Sequence, residues 1–223
     1  MFNFETKNEN NKLFVITILF CIVCNVNYSQ NFNILIKGGL NLSNMIVKDD
    51  DKTLSDDYKM LPGFHIHPAI EYSFSDLFSL EGGIAFQSRG YKVKGDNHKF
   101  RLTSIYLDIP INAKFNFNLG NVNLFCSLGP YVAFGIGGKI YKEGTVHNIT
   151  KITKRPIKWG SDWDDDLKTV DYGLNFGVGL DINNFMVGMS YGWGLANLCT
   201  IDDLDYKIKN YVLQISVGYK FNL

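Results

Sequence analysis

His65 and His67 lie two residues apart, so in an extended chain both imidazoles face the same side. Paired histidines at this spacing supply half of a tetrahedral metal site. No third ligand can be named beside them, and a polar interior would satisfy both rings equally well. Asp162, Asp164, Asp165 and Asp166, and earlier Asp49-Asp50-Asp51, are carboxylate clusters of the kind that attract Ca²⁺. They lack the binding-loop glycine and downstream glutamate of a helix-loop-helix calcium site. Lys151, Lys154, Arg155 and Lys158 precede the larger cluster, so pairing within the loop competes with cation binding. His65, Ser88, Ser104 and Asp171 are the types from which a hydrolytic set is built, but nothing orders them into a triad. Gly135-Ile-Gly-Gly138 and Gly177-Val-Gly179 sit inside alternating runs with no helix following, which excludes a phosphate loop. The sequence therefore assigns no catalytic, cofactor-binding or metal-binding residue. Trp159 and Trp163 share one long irregular segment and are the expected contacts for a partner or for lipid headgroups. Loop packing is the alternative for both.

The elements that must position these residues are strands. Tyr211–Phe221 places Tyr211, Leu213, Ile215, Val217, Tyr219 and Phe221 on one, fully apolar face and Val212, Gln214, Ser216, Gly218 and Lys220 on the other, mostly polar one. At about 11 residues it has the length a tilted strand needs to cross a bilayer. Seven earlier runs repeat the pattern: 32–43, 62–74, 77–89, 104–117, 122–137, 170–181 and 185–194. The links between them alternate long and short. The long ones are 49–59, 90–101, 139–168 and 195–209; the short ones are Ser75-Asp76, Asn118–Asn121 and Ile182–Asn184. This predicts an all-β, eight-stranded antiparallel up-and-down barrel with both termini at the short-turn end. With no helical stretch between strands, a parallel α/β sheet is excluded.

Alternation alone does not say which face is inside. Charges supply the sign: Lys37, Glu71, Glu81, Arg89, Asp108, Lys114, Asp171, Asp181 and Lys220 all fall on the polar face. That face is also rich in glycine, as a narrow eight-stranded lumen requires. Aromatic residues cluster at both ends of the apolar face, as two girdles around an aliphatic band. The expectation is a transmembrane barrel with its apolar face toward lipid. The nine ionic residues should cross-pair into a structural network, since an unpaired buried charge costs several kcal/mol. Side chains should fill the bore and leave no solute channel. A secreted soluble barrel with its apolar face inward is the alternative.

The N-terminus reads as a cleavable signal peptide. Lys7 and Lys12 precede an apolar run, Leu13–Cys24, too short to span a membrane as a helix. A cut after Ser29 leaves residues 30–223 as one barrel domain. Cys21 and Cys24 would leave with the signal; Cys126 and Cys199 are badly placed to meet, so two free thiols are expected. A formal net charge of zero implies no bulk attraction to nucleic acid.

Five short stretches resemble a known family: Lys37-Gly-Gly-Leu-Asn-Leu-Ser43, Pro62-Gly-Phe-His65, Leu107-Asp-Ile-Pro-Ile111, Leu128-Gly-Pro-Tyr131 and Gly218-Tyr-Lys-Phe221. In order and spacing the chain is similar to the outer-membrane β-barrel family of Bacteroidota often labelled PorT-like. The resemblance implies an eight-stranded barrel in a Gram-negative outer membrane, with periplasmic termini. It implies no reaction, no cofactor, and a place in secretion only for some members. Expected partners are membrane lipid and lipopolysaccharide, the barrel-assembly machinery during insertion, and an extracellular or periplasmic protein. A monomer is expected.

Overall fold

The computed structural model describes residues 32–49, 52–53, 58–95, 98–146, 149–201 and 206–222. The expected signal peptide, with Cys21 and Cys24, lies outside them, as do Asp50 and Asp51. Among the described residues the chain forms only strands and turns: β1 (Phe32–Asp49), β2 (Lys52–Thr53), β3 (Lys59–Ser73), β4 (Phe78–Gly83), β5 (Ala85–Lys94), β6 (His98–Asn118), β7 (Val122–Val146), β8 (Ile149–Pro156), β9 (Val170–Ile182), β10 (Phe185–Gly194) and β11 (Tyr206–Asn222). β4 and β5 are one strand broken at Ile84. They pair in succession with β3 on one side and β6 on the other. β2 and β8 lie outside the ring. The remaining pairings run β1–β3, β6–β7, β7–β9, β9–β10, β10–β11 and back to β1, all antiparallel. Eight strands thus close on themselves. Closure gives every wall strand two neighbours, which a backbone in lipid requires.

The wall has the expected sign. Outward-facing Phe176, Met189 and Ile215 are exposed, while inward-facing Asn41, Tyr106, Lys114 and Asp171 are buried. Aromatic rings run in contact around the short-turn end. Phe32, Tyr72, Phe74, Phe78 and Phe115 follow one another at centroid spacings of 4.7–5.5 Å. The short turns form as their sequences dictate: Asn183 takes a left-handed φ of 53°, which asparagine tolerates, and Gly120 one of 83°. Two glycines of the family-like stretches stand where neighbouring strands approach most closely. A Cβ on Gly39 would lie 1.9 Å from the Ile215 carbonyl oxygen, and one on Gly129 1.9 Å from that of Ile111. Any side chain at either position must push two wall strands apart.

Two of the expected long loops are largely strand where they are described. Residues 90–94 and 98–101 are the ends of β5 and β6, which pair from Ala85↔Asp108 to Lys94↔Lys99. Within 139–168, β7 continues to Val146 and folds against β8 from Lys139↔Pro156 outward. β11 begins at Tyr206 rather than Tyr211, and β1 runs on to Asp49. The reason is a change of surroundings along each strand. Near Thr103 the apolar side switches from outside to inside: Phe100 and Leu102 face the axis, and Lys99 and Arg101 face out. An alternation that inverts part-way does not read as one strand.

Candidate functional site

The candidate site is the lumen and the cap over its long-loop end. Cross-strand register decides which ions meet. Lys114, from β6, has Nζ 2.9 Å from Glu71 and 3.0 Å from Asp181. Lys220, from β11, reaches the same two carboxylates at 2.7 and 3.2 Å. Two cations and two carboxylates from four strands so form a closed square at the short-turn end. Phe125 lies beneath it, its ring centroid 4.2 Å from Lys114 Nζ. Lys37 pairs with Glu81 at 2.5 Å. At the other end Arg89 bridges Asp108 and Asp171, the latter at 2.7 Å. Its guanidinium lies between the rings of Tyr106 and Tyr131, 4.9 Å from each centroid. All nine ionic residues singled out in the sequence therefore point inward and are paired with one another.

Between the two ionic tiers is a polar cavity of about 60 Å³, lined by His65, His67, Gln87, Asn112, Ser190 and Gln214 among others. That volume suits a few waters. His65 is held by Asn41 at 2.7 Å and Ser216 at 2.9 Å. His67 Nε2 and Asn112 Oδ1 face the cavity without a protein partner. No group of three or more metal-ligating side chains gathers among the described residues. The hydrolytic types are engaged separately. Ser104 donates to the Arg89 carbonyl, Ser88 accepts from the Phe64 amide, and Asp171 is bound by Arg89 and Asn210. Tyr106, Tyr131, Asn41, Gln87 and Asn210 carry as much of this network as the charges do. All but Asn210 occupy inward positions of the expected strands, so continuing the alternation by two residues would have found it too.

Above the Arg89 tier an apolar cluster closes the bore: Met45, Leu102, Ile140, Ile157, Leu167, Ala196 and Leu198. Trp159 packs on it, its ring 5.2 Å from that of Tyr106. Trp159 is half-buried and turned inward as part of the cap. The cause is a clamp. The Asp166 carboxylate takes both Arg155 guanidinium nitrogens at 2.6 Å and the Lys158 amide at 2.9 Å. The Asp166 amide returns a bond to the Lys158 carbonyl, also 2.9 Å. Lys158 pairs with Asp164 at 2.7 Å, and Asp165 accepts from the Asp162 amide. The carboxylates of this segment are thus spent largely on the loop itself. Trp163 has no such anchor and is 83 % exposed. Cys126 faces outward, Cys199 is buried, and both are free thiols.

Two measurements on the tryptophans follow. In single-tryptophan variants, iodide should quench Trp163, brominated acyl chains should quench Trp193, and neither should reach Trp159 efficiently. Equal iodide quenching of Trp159 and Trp163 would show that the cap is open. The second concerns pH. The Arg155 guanidinium holds the Asp166 carboxyl below its ordinary value. A depressed folded-state pKa adds stability that is complete above the unfolded value, about 3.9, and vanishes as pH falls through the folded one. Trp159 emission should therefore stay constant from neutrality down to about pH 4 and shift red only below it. Arg155→Ala should move that transition upward.

A family model described as "Outer membrane protein beta-barrel domain" matches residues 28–200. The chain belongs to the outer membrane protein β-barrel domain family. The closed ring and its apolar exterior are the structure that this family name implies, and the membrane to which the protein belongs is the outer one. Several solved barrels are similar in outline. Ail, the attachment invasion locus protein of Yersinia pestis, in complex with the heparin analogue sucrose octasulfate, shares 20 % identity over 86 % of this chain and 99 % of its own, with a TM-score of 0.40. OprG of Pseudomonas aeruginosa shares 12 % over 87 % and 98 %, with a TM-score of 0.46. Neisserial surface protein A shares 12 % over 86 % and 97 %, with a TM-score of 0.44. No curated protein matches the sequence.

Proposed function

We propose that this outer-membrane barrel is a non-enzymatic, non-conducting anchor that holds a rigid strand platform outside the cell. One observation carries the reading: the bore is corked while the wall continues beyond it. Among the described residues the ionic square, the Arg89 bridge and the apolar cluster occupy successive levels of the bore, with a polar cavity of about 60 Å³ between the ionic tiers and one of about 180 Å³ against Met45, Leu102 and Leu167 of the cap. β5, β6, β7 and β8 meanwhile extend together past the apolar band. Short turns at one end and long extensions at the other favour periplasmic termini and external loops. The platform then serves contact with lipid, surface glycan or a protein partner, as a monomer inserted by the barrel-assembly machinery. The five family-like stretches favour placement among the PorT-like barrels of Bacteroidota. An accessory role in protein secretion is the second reading that this resemblance supports.

Planar-bilayer recording tests the corked bore. Purified protein should add no stable conductance steps, and large steps that persist would refute the proposal. Protease or biotin added to intact cells should reach β8 and not the short turns. Labelling of the short turns would reverse the orientation.

A further inference from the structure

The sheet extension has two chemically distinct faces. Directly opposed residues share a face, and the register runs Lys92↔Arg101, Arg101↔Tyr141 and Tyr141↔Lys154 across β5, β6, β7 and β8. Lys94↔Lys99↔Glu143 forms the next row outward, and Thr103↔Lys139 the row below. Side-chain contacts confirm the common face. Lys154 Nζ lies 5.6 Å from the Tyr141 ring centroid, and Lys99 pairs with Glu143 at 2.7 Å. The opposite face carries Tyr91, Phe100, Leu102 and Ile140 and packs into the cap. The outer face thus presents Lys92, Lys94, Lys99, Arg101, Lys139 and Lys154 against one carboxylate, Glu143. Four strands at about 4.8 Å spacing make it roughly 14 Å wide.

Its height is fixed by the strand itself. Outward positions of β6 are apolar from Phe117 to Ile105. At about 3.4 Å per residue and a tilt near 40°, that run is about 30 Å tall, the depth of a hydrocarbon core. Thr103 follows, and Arg101 stands about 10 Å beyond Ile105 on the same lipid-facing side. The cations therefore lie where headgroups lie, continuous with the apolar wall below them. Repulsion among so many cations is relieved by multivalent anions, and phosphate accepts charge-assisted bonds from both arginine and lysine.

We infer that the outward face of the β5–β6–β7–β8 extension is a binding site for the phosphate groups of outer-leaflet glycolipid. The site rests on the proposed orientation, with this end outside the cell. Arg101 and Lys154 flank Tyr141 at its centre and supply the phosphate contacts. Lys92 and Lys139 extend it along the wall.

The test uses the full-length barrel in detergent and in nanodiscs, with bisphosphorylated lipid A, its dephosphorylated form and a sulfated heparin fragment as probes. Native mass spectrometry counts retained lipid, and titration gives affinity. Bisphosphorylated lipid A should bind about tenfold tighter than the dephosphorylated form. That margin should shrink as salt rises from about 0.05 M to about 0.5 M. R101Q/K154Q should lose it, whereas K151Q/K158Q, equal in charge but on the hairpin tip and cap loop, should keep it. Heat-modifiable gel mobility establishes that both variants are folded. An inserted, folded barrel with no preference for phosphate overturns the inference, as does equal loss in both variants. Tighter binding of the heparin fragment through the same residues also overturns it and assigns the face to a glycan. If β8 proves inaccessible on intact cells, the orientation fails first and this inference with it.

Discussion

Arg89→Met should destabilise the barrel by about 3–5 kcal/mol, the usual cost of stranding one side of a buried ion pair. Arg89 is 1 % exposed and is the sole cation in contact with Asp108 and Asp171 among the described residues. Methionine fills much of the same space between Tyr106 and Tyr131 but leaves two buried carboxylates facing each other. The measurement is equilibrium unfolding in denaturant, followed by tryptophan emission and by heat-modifiable mobility. The triple variant R89M/D108N/D171N should recover most of the loss, because the charges leave together. If the single variant unfolds with the wild-type midpoint, water reaches this tier and the bore is less tightly corked than the contacts indicate. The same logic applies more weakly to Lys114, since Lys220 remains beside both of its carboxylates.

Met189→Lys should cost about 2–4 kcal/mol of folding free energy in lipid vesicles. Met189 lies at the middle of β10, outward and 49 % exposed, level with Val178 and Ile215 on its two neighbours. Lysine has nearly the same length and shape, so packing changes little and the loss reports the surrounding medium. Met189→Leu should be close to neutral. Refolding titrations into vesicles measure both. A Met189→Lys variant as stable as wild type would mean that this face meets water, and the membrane assignment of the wall would fall.

The sequence by itself determined the strand count, the alternation of long and short connections, and which face meets lipid. Each of these is local. A strand of period two in a uniform medium writes its two surroundings directly into alternate residues, as Tyr211–Phe221 does. It also determined that nine charges share the interior, because an ion facing acyl chains is too costly to retain.

Tertiary structure alone decided which of those charges meet. Lys114 is 43 residues from Glu71 and 67 from Asp181, and only wall register brings them within 3.0 Å. It decided that Trp159 turns inward while Trp163, four residues on, turns out, because the Arg155–Asp166 clamp fixes the chain between them. It also decided that residues 90–94, 98–101, 139–146 and 149–156 are strand. There the solvent exchanges sides: above the lipid, water lies outside and the apolar cap lies within. The pattern inverts at Thr103, and a residue's partner to lipid or water depends on its height on the finished cylinder, which no local window contains.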